Sequence, residues 1–188
     1  MADKISYPPV FTPGKRGVDF GFIRGGQTTD TPVEMLRIVT GNDTGVFGID
    51  AWYLGIYAYD KAPADGSAPR LAKIWDSGDL KGVLASQRQR YNIATGLVNT
   101  KVKPDQLIAV ASLQIAPGVF QTPRGIGCIF QTGISEPPGV VPQARAAYIS
   151  DQSTLPQYVP MSSLTWDKSK VLWASLGPLN DTGAAVTT

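Results

Sequence analysis

The chain has 188 residues, 43% of them hydrophobic and 17% charged, with a formal net charge of +2. That length suits one domain, or one domain with arms, and the composition can fill a core. So weak a charge gives no electrostatic ground for nucleic acid or an anionic membrane as the main partner. The chain has no histidine and one cysteine, Cys128. This excludes Ser-His-Asp and Cys-His catalysis, histidine-liganded zinc or iron, and a disulfide within the chain. No metal or cofactor is expected. No run of about 18 apolar residues predicts a membrane-spanning helix, and the opening MADKISYPPVFTPGKRG holds no apolar signal core, so no signal peptide is expected.

Gly and Pro are abundant, at 20 and 15 residues, and Glu occurs only as Glu34 and Glu136, which favours turns over helices. Residues 1–30 are predicted to form an extended N-terminal arm. Pro8, Pro9, Pro13, Gly14 and Gly17 punctuate it, and it carries Tyr7, Phe11, Phe20 and Phe22, aromatic side chains that need a surface on another subunit or partner chain. Within it, Val18, Phe20 and Phe22 alternate as a short strand would. Residues 31–178 read as a β-sandwich. Strands are predicted at 35–40, 51–60, 71–78 (strand and turn), 105–116, 124–131, 144–150 and 170–176, while residues 83–95 fit either a short helix or a polar strand. Leu107, Ala109, Ala111, Leu113 and Ile115 share one face of the strongest apolar run. Residues 179–188 are small and polar and read as a flexible tail. The fold expected is all-β, a jelly-roll-like antiparallel sandwich.

The stretch AWYLGIYAYD, residues 51–60, has two unlike faces. Trp52, Leu54 and Ile56 are predicted to face the core. Tyr53, Tyr57 and Tyr59 are predicted to meet a second layer: a loop or the arm within a monomer, or a neighbouring subunit in an assembly. Tyrosine suits a contact surface because its ring buries apolar area while its hydroxyl reaches a polar partner. Gly55, between two of the tyrosines, leaves room for another chain. Trp75, Trp166, Tyr148 and Tyr158 are candidates for stacking on sugar rings, with core packing as the alternative for each. Asp50, Asp60, Asp65, Asp76, Asp79 and Glu136 are the carboxylates open to glycoside hydrolysis, but nearly all stand beside Gly, Ser or Pro, where a turn explains them.

YLGIYAYD, a Pro/Gly loop and PRLAKIWDSGDL together resemble jelly-roll domains in tail proteins of long-tailed bacteriophages. In those domains a strand ending in G-[IV]-Y leads through a loop to a P-G-x-L-L strand and a Ser-Gly turn. Gly55, Ile56, Tyr57, Pro69, Leu71, Ser77 and Gly78 match, and Arg70 stands where the pattern has glycine. KPDQLIAVASLQIA and the stretch from ARAAYIS to VLWASL are similar to the second half of such domains. The resemblance spans roughly residues 35–178, in the style of minor tail proteins of phages infecting actinobacteria. It implies a non-enzymatic virion part at the tail or its tip, made in the host cytoplasm, contributing to tail assembly and host-surface adhesion. The partners implied are copies of itself, a trimer by analogy, other tail proteins and a host-surface glycan. A carbohydrate-binding module is the alternative reading, and a glycan hydrolase a more distant one.

Overall fold

The computed structural model of the protein describes residues 8–26, 28–43, 45, 47–131 and 140–179. In chain order the strands are β1 (Val10–Phe11), β2 (Val18–Arg24), β3 (Thr31–Pro32), β4 (Met35–Val39), β5 (Ala51–Asp60), β6 (Arg70–Asp76), β7 (Arg90–Ala94), β8 (Lys101–Val102), β9 (Leu107–Ile115), β10 (Ile126–Phe130), β11 (Ala146–Ile149), β12 (Tyr158–Pro160), β13 (Thr165–Asp167), β14 (Lys170–Leu172) and β15 (Ala174–Gly177). A single 3-10 turn, Met161–Ser163, is the only helical element among the described residues. The protein is therefore all-β. Within the 83–95 segment Arg90–Ala94 is strand, β7, and residues 83–89 are turns and bends.

A strongly curled sheet of seven antiparallel strands, a half-barrel, dominates, in the order β12-β6-β5-β9-β2-β11-β13. Two smaller sheets, β15-β4-β7 and β1-β10-β14, and the pair β3-β8 complete the set. β9 is central because its apolar run tolerates cover on both faces. It pairs with β5 from Ala51↔Ile115 to Ala58↔Ile108, and with β2 from Val18↔Leu113 to Arg24↔Leu107.

The curled sheet has a core on each face. Val18, Phe20 and Phe22 of β2, Tyr57 of β5, and Leu107, Ala109, Ala111 and Leu113 of β9 fill the first, closed by Leu155, Val159 and Leu164. Trp52 and Leu54 of β5 and Val110 of β9 join Leu36, Ile38, Leu80, Leu84, Ile93, Ile126 and Leu172 in the second. Period-two alternation in β5 and β9 thus sorts side chains between two buried layers rather than between core and water. The expected inward face of β9 is found as read, and Trp52, Leu54 and Ile56 are fully buried.

The N-terminal region departs from expectation. Residues 18–24, assigned to an arm, form a central strand, and Phe20 and Phe22 are 1% and 7% exposed. Alternation with Asp19, Gly21 and Ile23 was enough to make a strand, and that strand found two neighbours. Residues 8–17 are also tied to the domain. Val10 and Phe11 pair with Gly127 and Ile126, and Pro9 O accepts a hydrogen bond from Cys128 N at 2.7 Å. Tyr7 and residues 180–188 of the predicted tail lie outside the described residues.

Candidate functional site

Residues 11–17 cross one end of the seven-stranded sheet and wall a cleft of about 580 Å³, a volume in the range of small-ligand sites. The opposite walls are Asp19 of β2, Tyr148, Ser150 and Asp151 at and beyond the end of β11, Asp167 of β13 and Lys170 of β14. Register explains the gathering. Asp19 pairs with Tyr148 and Tyr148 with Thr165; one row along, Gly21 pairs with Ala146 and Ala146 with Asp167. Residues two apart share a face, so Asp19, Tyr148 and Asp167 all stand on the side opposite Phe20, Ala147 and Trp166.

Asp19 is half-buried, and its Oδ2 is sealed from solvent with no hydrogen-bond partner. Burial pushes its carboxyl up to about 7; Lys170 pulls it back and Asp167 adds to the rise. For Asp167, partial burial works upward, but bonds from Ser169 N at 2.7 Å and Ser169 Oγ at 2.6 Å, with Lys170 nearby, outweigh it and hold the carboxyl below its ordinary value. Lys170 Nζ lies 3.4 Å from Asp167 Oδ2 and 4.9 Å from the centre of the Phe11 ring. The cleft therefore holds one carboxyl able to carry a proton near neutral pH, the committed Asp167 carboxylate, the Asp151 carboxylate and an exposed tyrosine. It can accept and donate hydrogen bonds and stack one flat face.

The residues singled out from the sequence divide sharply. Tyr57 is fully buried; its hydroxyl donates to Pro156 O at 2.8 Å, and its ring meets Phe20 edge-on at 5.5 Å. Tyr53 and Tyr59 pack half-buried against the same core. The second layer beneath these tyrosines is the chain's own 155–164 segment, with β2 beside them. Tyr57, Phe20 and Phe22 are corrected as interface candidates, since residues 0%, 1% and 7% exposed have little or no surface to offer a neighbour. Gly55 makes room for Leu155 of the same chain rather than for another: a Cβ there would stand 2.9 Å from Leu155 Cδ1. Phe11 is half-buried against the second core.

Of the stacking candidates, Trp166 is half-buried, packs on Phe22 at 5.4 Å and also lines a second, open cleft with Tyr148, and Trp75 packs half-buried on the second core. Tyr158 is 51% exposed, but the Arg70 guanidinium covers one face at 4.0 Å. Tyr148, 39% exposed, is the one that lines the cleft.

The turn reading of the acidic residues fits their bonds. Asp79 Oδ1 accepts from Trp52 N and Lys81 N, both at 2.9 Å; Asp76 Oδ1 accepts from Gly78 N at 3.0 Å; and Asp65 Oδ1 accepts from Ser67 N at 3.0 Å. Asp60 lies 3.8 Å from Arg70, Asp50 accepts from Gln121, and Glu136 lies outside the described residues. Asp19, Asp167 and Lys170 escaped the sequence reading. One signal was available: Gly21 shares a face with Asp19, and a glycine inside a strand marks close approach. Here Leu172 is what approaches, 3.2 Å from a Cβ placed on Gly21. No family model matches the chain, and no curated protein matches it.

Proposed function

We propose that this protein is a structural component of a bacteriophage virion, a minor tail or tail-tip protein on a jelly-roll-like sandwich, which acts by contact rather than by catalysis. The observation that carries this reading is a cluster of large apolar side chains left in water. Val119 is 86% exposed, Phe120 71% and Phe47 57%, and the two phenylalanine rings lie 6.2 Å apart. Ile129 and Phe130 on β10 add a second exposed pair. Clustered exposed apolar groups mark contact surfaces. The residues that carry the phage resemblance have structural tasks consistent with it. Ser77 Oγ accepts from Leu54 N at 2.9 Å, Gly78 turns the chain at φ 68°, and Tyr57 anchors the 155–156 loop. Self-association, as a trimer by analogy with fibre-like tail parts, and contact with other tail proteins follow from this reading.

Sedimentation equilibrium tests it. The wild-type chain is expected to associate, and Phe120→Ser to weaken association at least tenfold, as loss of an aromatic anchor does, with an unchanged circular dichroism spectrum. A chain that stays monomeric at every concentration, alone and mixed with purified tail proteins, overturns the reading.

A second reading, saccharide binding at a host surface, is favoured by one observation: Tyr148 stands exposed on a polar cleft of small-ligand size. A glycan array probed with wild type and Tyr148→Ala checks it. Signal lost in the variant supports this reading, and no signal from wild type removes it.

A further inference from the structure

Phe11 pairs with Ile126 and packs on the second core, and residues 12–17 are held by a short set of hydrogen bonds. Ala116 N donates to Lys15 O and Gln152 N to Arg16 O, both at 3.0 Å, and Lys15 Nζ donates to Gly118 O at 2.9 Å. Asp19 lines the cleft with this segment and shares a small pocket of about 10 Å³ with Phe11, Lys170 and Leu172; its Oδ2 is shut away from water with no donor in reach. The charged and titratable groups around Asp19 are already committed. Lys170 of β14 is paired with Asp167 of β13 at 3.4 Å. On the segment, Lys15 is turned to the backbone carbonyls of Gly118 and Val119, and Arg16 Nε to Gln152 O at 3.4 Å. Tyr148 and Asp151, across the cleft, bring a neutral phenol and a further negative charge. A neutral carboxyl is tolerable in this setting. An ionised one is a buried charge beside the Asp167 carboxylate, with the nearest cation shared.

We propose that residues 11–17 form a proton-gated strap, closed over the cleft while Asp19 holds a proton and loosened when that proton is lost to solvent. Opening admits water to the carboxylate and widens the cleft, because the strap is one of its walls. The device does not depend on the virion reading; it rests on the packing of the strap and the sealed Asp19 carboxyl.

The sign follows from linkage. The closed form holds its proton up to about pH 7, whereas a solvated Asp releases it near the ordinary value of 3.8. Closure is strongest below the ordinary value, weakens as pH rises, and levels off above about 7. One proton sets the limit at about tenfold per pH unit, and a window of about three units allows up to about a thousandfold change in the opening constant.

Hydrogen exchange on the full chain from pH 4 to 8, corrected for intrinsic base catalysis, tests this. The reporters are the Ala116 and Gln152 amides, which bond to the strap, with central β9 amides as the reference for global unfolding. The expected result is that the two reporters open more readily than β9, that their opening constant climbs with pH and flattens near 7, and that Asp19→Asn abolishes the climb. Should Asp19→Asn misfold, the side-chain carboxyl carbon of Asp19 in the wild type is followed by NMR, with a midpoint near 7 expected. Reporters that exchange in step with β9, an identical pH profile in Asp19→Asn, or a carboxyl midpoint near 4 would each overturn the proposal.

Discussion

Tyr57 has both halves of its side chain in use. Its ring fills the first core against Phe20, and its hydroxyl, donating to Pro156 O, ties down the loop that closes that core. Removing only the hydroxyl leaves a half-buried carbonyl short of a donor, so Tyr57→Phe should cost about 1 kcal/mol. Tyr57→Ser removes the ring as well and should cost about 3–5 kcal/mol. Urea denaturation of both variants checks this, and the ordering matters more than the values. Trp52 offers a parallel case on the other face. Its Nε1 donates to Ser112 Oγ at 3.1 Å in a fully buried setting. Ser112→Ala would strand that donor and should cost about 1–3 kcal/mol, again read by urea denaturation. A tyrosine on a face shared with Tyr53, Gly55 and Tyr59 reads from sequence as a contact-surface group. Tyr57 is interior because the sheet curls and brings the 155–156 loop across it, a contact 99 residues away in the chain.

At the scale of elements, the β5–β6 hairpin depends on a close approach. With Leu155 Cδ1 2.9 Å and Tyr57 Cε2 3.1 Å from a Cβ at Gly55, Gly55→Ala must displace packed side chains. The expected cost is about 1–3 kcal/mol. Leu155→Ala alone is also destabilising, but the double variant should lose less than the sum of the two, because the shortened side chain clears the added methyl. A double-mutant cycle by thermal denaturation measures that coupling, and strict additivity would place the strain elsewhere. The long strands were legible because alternation over five or more residues is a strong signal. The two- and three-residue strands β1, β3, β8, β12 and β13 were not, since so short a segment has no period. The run at 170–176 also hid a break. Residue Trp173 lies between β14, which pairs with β10, and β15, which pairs with β4, so one apparent strand serves two sheets.

For the whole molecule, the N-terminal segment is the test of integration. Pro9 O, Lys15 O and Arg16 O each accept a backbone hydrogen bond from a different part of the domain, and Phe11 packs on the second core. Removing residues 1–17 should therefore lower the melting temperature by several degrees, as a loss of about 2 kcal/mol does in a chain of this size. A detached arm would leave it unchanged, and differential scanning calorimetry decides between them.

Composition and two-residue periodicity determined by themselves that the chain is all-β, where its long strands lie, and which side chains of β5 and β9 travel together. Those properties are local, set by turn residues and by the pleat of an extended backbone. Only the tertiary structure decided what each face meets. A sheet covered on both sides gives its polar and apolar faces the same burial. Whether Asp19 is solvated or sealed, and whether Tyr57 or Tyr148 is free to touch a partner, then depends on which distant segment lies across it.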